Sequence, residues 1–248
     1  MAYPYVWAER KFLEVLNAVK EGATDVYEVR SIPLTNKENM KKMIDSTPHN
    51  SALWQHTDQY HVAMIYIERG KGQRFNRSLL DLIGSGIDTK EKFKREWRKR
   101  NGNNDGYFPK VSKSSTSQNR MRQSSYIVAD LNKGANPKSK IQGHDGNTTT
   151  HRTHLISAQT TGIENNKGLL IDFDGWLNMK PLNDFETQVL EMTKFQDIIW
   201  TATVWRAMDG LHFRYLMFDS SWRVVASHEW VDDRWTYLWY YDDEQVKK

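Results

Sequence analysis

The chain has 248 residues, of which 38% are hydrophobic and 12% aromatic. That is enough apolar material for one substantial core, or for a catalytic domain with an N-terminal extension, and too much for a disordered chain. No apolar run approaches the roughly 18 residues of a membrane span. With no cysteine, disulfide frameworks, thiolate nucleophiles and cysteine-bound zinc are excluded.

The first predicted element is an amphipathic helix over residues 6–20, where Trp7, Phe12, Val15, Leu16 and Val19 recur at helical spacing and Gly22 closes the run. The stretch lacks the basic segment followed by an apolar one that marks a secretory leader, and location stays open between the cytoplasm and export. Residues 25–32 read as a strand. Residues 36–44 read as a short helix capped by Asn36 and closed off before Pro48. Residues 60–68, rich in β-branched and aromatic side chains, read as a strand, and 75–83 and 89–100 as helices. Residues 101–119, rich in Asn, Gly, Ser and Lys, read as a long loop, a type that is usually functional or flexible.

That loop sets the expected boundary between an extension of unknown role, residues 1–105, and a catalytic domain, residues 106–248. Within the second part, 125–131 and 151–158 read as strands and 178–194 as a helix with Pro181 in its first turn. Four aromatic runs follow, at 198–208, 211–218, 222–228 and 234–241. They are separated by turn signals such as Asp209-Gly210, and residues 198–241 as a whole hold six of the ten tryptophans. Together they read as an antiparallel meander.

Charge is unevenly spread. Residues 1–140 hold 25 Lys and Arg against 15 Asp and Glu, a balance of +10, and residues 141–248 hold 10 against 16, a balance of −6; the two give the net +4. A basic half suits a polyanionic partner bound by counterion release, and an acidic half suits a cation. The densest basic run is Lys90, Lys92, Lys94, Arg95, Arg98, Lys99 and Arg100. Phe93 and Trp97 lie four apart within it, so one helical stripe is apolar and the rest is cationic. The run reads either as a solvated face or as a nucleic-acid contact through Lys94, Arg95, Arg98, Lys99 and Arg100. His56 and His61, five apart, do not share a helix face and do not read as metal ligands.

The chemistry concentrates in His151-Arg152-Thr153-His154, with Asn178 24 residues beyond His154 and Glu186 eight further on. An imidazole titrates near pH 6.5 and accepts a proton readily. A carboxamide and a carboxylate offer hard oxygens to a divalent cation. His151 would point to the opposite face of a strand from a residue one or three positions away, which makes it the weaker candidate base.

The segment from His151 to Glu186 resembles the active-site core of the DRGH-type nonspecific DNA/RNA endonucleases, the ββα-metal nucleases. The resemblance covers about residues 120–220. It implies an α+β fold: a ββα-metal core with an antiparallel sheet flanked by helices, plus an N-terminal α/β extension. It implies that His154 is the general base, Asn178 the direct ligand to Mg²⁺ (Mn²⁺ being able to substitute), and Glu186 the group that orients the metal's waters. Arg152 matches the arginine of the tetrapeptide, and Arg122, 32 residues before His154, matches an upstream phosphate contact, with Arg120 a near competitor; Arg152 and Arg122 each read as a phosphate or transition-state contact or as a plain surface cation. The family's Asp and Gly are replaced by His151 and Thr153, which bears on how the loop is braced. The implied function is sequence-nonspecific hydrolysis of DNA, or of RNA, with an inhibitor or immunity protein as a conceivable partner. The alternative is a catalytically inactive nucleic-acid-binding or interaction protein on the same scaffold.

Overall fold

The computed structural model describes residues 12, 13, 16, 25–72, 89–101, 125–130, 149–163 and 166–241. Its fold is mixed α+β, dominated by one large antiparallel sheet with few helices. The strands are β1 (Val26–Glu28), β2 (Ala52–His56), β3 (Tyr60–Ile67), β4 (Ile127–Ala129), β5 (Thr150–His154), β6 (Leu170–Asp174), β7 (Ile198–Ala207), β8 (Gly210–Asp219), β9 (Val224–Asp232) and β10 (Tyr237–Trp239). Six of them form a sheet in the order β1-β2-β3-β7-β8-β9, parallel only between β1 and β2. Two small antiparallel pairs, β5 with β6 and β4 with β10, complete the strands.

β3 pairs with β7 over eight residues, from Tyr60 opposite Trp205 to Ile67 opposite Ile198. The expected boundary near residue 105 therefore runs through one continuous sheet, whose strands come from both sides of it. Alternate residues point to opposite sides of this sheet, and its central strands bury apolar residues on both faces. Leu53, Val62, Met64, Ile199 and Phe218 face one way, with Met40 and Ile44 of helix α1 (Lys37–Asp45) in the same buried cluster. Trp54, Ile65, Trp200, Phe213, Tyr215 and Met217 face the other way, into a core that also holds Ile171, Phe173, Leu177, Phe185 and Val189. The β5–β6 pair and the helix that follows are thus seated on this second face. A fully buried large apolar side chain such as Phe213 contributes about 1.5–3 kcal/mol.

Helix α1 is capped as expected, with the Asn36 carboxamide accepting from the Asn39 backbone N–H at 2.9 Å. Helix α2 (Lys90–Asn101) agrees with the expected 89–100 span, and Phe93 is fully buried, stacked on Phe12 at 4.4 Å. The expected helices over 6–20, apart from helical Phe12, Leu13 and Leu16, and over 75–83 lie outside the described residues. The aromatic meander is corrected at its end. β7, β8 and β9 are consecutive antiparallel neighbours, but β10 leaves the sheet and pairs with β4, Leu238 opposite Val128. The β7–β8 turn needs Gly210: at φ +141° its α-carbon lies so close to Asp232 that an added Cβ would come within 2.6 Å of the carbonyl oxygen. Among the described residues no helix is long and apolar enough to cross a membrane.

Candidate functional site

β5 and β6 form the hairpin that carries the tetrapeptide. Directly opposed residues in an antiparallel pair lie on one face. The pairs Thr150 with Asp174, Arg152 with Asp172 and His154 with Leu170 therefore share a face, and His151 with Phe173 and Thr153 with Ile171 share the other. His154 and Arg152 are brought to the same side. His151 is on the opposite one, its ring so close to Gly175 that a Cβ there would meet it at 2.9 Å. His154 is mostly buried, and the fully buried Leu155 and Ile156 follow it into the core. Ser157 then turns the chain by capping a short helix, α3 (Ala158–Thr161), its hydroxyl accepting from the Gln159 N–H at 3.2 Å. The strand expected over 151–158 thus stops at His154.

β6 runs without a gap into helix. The helical stretch comprises α4 (Gly175–Leu177), a π turn (Asn178–Leu182) and α5 (Asn183–Met192). It begins three residues earlier than expected because Asp174 is the cap, its Oδ1 accepting from the Leu177 N–H at 2.7 Å. Asn178, expected to open the helix, is instead one turn inside it at φ −62°, ψ −40°, so its carboxamide is not used as the cap. Pro181, expected in the first turn, falls inside the π turn. It has no N–H to donate and its ring clashes with the carbonyl four residues back, which is a sufficient reason for the widening. The widening also bears on phase. Eight α-helical residues overshoot two full turns by roughly 80° at about 100° per residue. A π turn rotates the chain less per residue, so it removes part of that overshoot between Asn178 and Glu186.

Glu186 lies in the first turn of α5, half-buried. The Tyr215 hydroxyl donates to its Oε1 at 3.2 Å. Tyr215 is fully buried on β8, and burial together with the neighbouring carboxylate pushes its phenol well above the ordinary tyrosine value.

Beside the hairpin lies a buried ionic network. Arg152 Nε meets Asp172 Oδ1 at 2.8 Å, the side chains 4% and 6% exposed. The Asp172 Oδ2 accepts from the Ala129 N–H of β4 at 3.0 Å. Arg234 contacts Asp174 and lies 3.6 Å from Asp232, and Asp232 accepts from the Tyr237 hydroxyl at 2.5 Å. Asp172, Asp174 and Tyr215 were not among the sequence candidates. The alternation Leu170-Ile171-Asp172-Phe173-Asp174 is a period-two signal with acids on one face, and it marks both the strand and the two carboxylates.

Arg122 and Arg120 lie outside the described residues. Of the basic run, Lys94 and Arg95 are on α2, with Lys94 3.9 Å from Glu91; the side chains of Arg98, Lys99 and Arg100 lie outside the described set. His56 and His61 oppose each other across β2 and β3, joined Nδ1 to Nδ1 at 2.9 Å. His61 Nε2 donates to the Gly168 carbonyl at 2.7 Å, and full burial lowers its pKa to about 4. Among the described residues no group of three or more His, Cys, Asp or Glu side chains converges as a metal-binding cluster. A site made of one carboxamide and one carboxylate, completed by water, does not require such a cluster, and its oxygens suit a hard cation. Comparison with protein-family models, with curated proteins and with solved structures finds no match.

Proposed function

We propose that the protein is a metal-dependent, sequence-nonspecific endonuclease of the ββα-metal type, hydrolysing phosphodiester bonds of DNA or RNA. The observation that carries the reading is the order and continuity of its parts. An antiparallel pair bears His154 and Arg152 on one face, and its second strand leads directly into the helix bearing Asn178 and Glu186. His154 is the base that takes a proton from the water attacking phosphorus. Arg152 adds positive charge on the same face of the hairpin, and Arg122 is the upstream phosphate contact by resemblance. Asn178 would hold a Mg²⁺ directly and Glu186 through water; the cation, when bound, supplies charge stabilisation at the scissile phosphate. The basic residues of α2 are assigned to the nucleic-acid backbone. Digestion of plasmid DNA and of RNA by the purified chain, with Mg²⁺ and with EDTA, tests the reading.

One observation favours a second reading, a nucleic-acid-binding protein without activity. Arg152 is ion-paired with Asp172 in a nearly closed environment, where its guanidinium is already matched by a carboxylate. Under that reading the chain retards DNA in a gel in a salt-sensitive manner and cleaves nothing with Mg²⁺ or Mn²⁺.

A further inference from the structure

Glu186 stands in the first turn of α5, directly after the turn widened at Pro181. A second element reaches it. Tyr215 comes from the middle of β8, between Ala202 of β7 and His228 of β9. Its ring is held on several sides: edge-on to Trp200, Phe213 and Trp230 at 5.1, 5.0 and 5.6 Å, and tilted against Phe185 at 5.1 Å. Phe185 is the residue immediately before Glu186, so the same aromatic cluster packs the helix and aims the hydroxyl. A tyrosine has two side-chain torsions, and with the ring wedged in this way its oxygen is fixed in place.

We infer that Tyr215 is a positioning residue for the proposed metal site: its hydroxyl holds one oxygen of the Glu186 carboxylate, which fixes the direction in which the other can face a cation's water shell. This inference rests on the nuclease reading in assigning Glu186 to the cation. The packing of the ring alone would be met equally well by phenylalanine. The hydroxyl is what a purely structural role does not need, and carboxylates beside a metal are ordinarily held by such outer partners.

The test is Tyr215→Phe in the full chain, which keeps the ring and removes the O–H. Mn²⁺ binding is followed by the loss of its free-ion electron paramagnetic resonance signal, and the Mg²⁺ dependence of plasmid cleavage is measured alongside. The variant should melt within a few degrees of the parent, bind Mn²⁺ about tenfold more weakly and need correspondingly more Mg²⁺. Glu186→Gln should weaken Mn²⁺ binding comparably, and Tyr215→Phe should add little to it, because the two act as one unit. Unchanged Mn²⁺ affinity in Tyr215→Phe, or losses that add in full in the double variant, would overturn the inference. A parent chain that binds Mn²⁺ but cleaves nothing would sink the nuclease reading instead, with the Mn²⁺ comparison still deciding the role of Tyr215.

Discussion

Arg152 and Asp172 face each other across β5 and β6 at 2.8 Å, both nearly closed to solvent. Each charge is costly to bury, and the opposite charge offsets part of that cost. Asp172→Ala should therefore destabilise the fold by about 3–5 kcal/mol, since it takes a carboxylate partner away from a buried guanidinium. Asp172→Leu combined with Arg152→Met, which removes both charges, should recover much of that loss. Urea denaturation of the three chains checks this, and a loss below about 1 kcal/mol for Asp172→Ala would place the pair in far wetter surroundings.

Asn178 does not cap its helix; Asp174 does. Asn178→Ala should accordingly leave the melting temperature almost unchanged while raising the Mg²⁺ concentration for half-maximal cleavage at least about tenfold. Asp174→Ala should behave in the opposite sense, lowering stability first, because it removes both a cap and the partner of Arg234. A Mg²⁺ titration of cleavage beside a thermal melt separates the two residues.

His61 links β3 to the turn before β6 through the Gly168 carbonyl. Its folded pKa of about 4 lies below the ordinary 6.5, because burial disfavours the charged ring. As pH falls, the unfolded chain takes up this proton first. The contribution is whole above pH 6.5 and is lost between 6.5 and about 4, at no more than about 1.4 kcal/mol per pH unit. His61→Gln, with an amide able to donate to the same carbonyl, should lose stability less steeply than the parent between pH 6.5 and 5. Parallel denaturation curves across that range measure the difference, and equal slopes would remove His61 as the cause.

Arg95 is exposed on α2 and Lys94 is half-exposed beside Glu91. If both neutralise phosphates, the Lys94→Ala, Arg95→Ala double variant should bind DNA more weakly. It should also flatten the slope of log affinity against log salt by up to about two. Fluorescence anisotropy at several salt concentrations reads the slope directly. An unchanged slope would assign the two residues to a solvated face.

How far the sequence carried depended on whether the signal was local. Asn36 as a cap, the strand at Tyr60–Ile67 and the helix at Lys90–Asn101 follow from short-range chemistry, and the structure has them. β2 was missed because Ala52-Leu53-Trp54-Gln55-His56 is buried on both faces and so shows no alternation. The pairing of β3 with β7 joins segments more than a hundred residues apart, and no periodicity within either strand encodes it. β10 reads like the strands before it, yet it pairs with β4, a partner choice made by tertiary packing. In the candidate site, the side shared by His154 and Arg152 was accessible from strand alternation. Asp172 is legible as an acid on one face of an alternating run, but its pairing with Arg152 and the approach of Tyr215 to Glu186 are not, since they join separate strands and a helix.

The proposed hydrolysis needs His154 as the proton acceptor. The most direct measurement is cleavage of supercoiled plasmid in Mg²⁺ by the parent chain and by His154→Ala, with a thermal melt confirming that both are folded. The parent should nick and linearise the plasmid, and the folded variant should lose at least about a hundredfold in rate. A folded His154→Ala that cleaves as fast as the parent, or a parent that leaves the plasmid intact with both Mg²⁺ and Mn²⁺, would contradict the proposed mechanism.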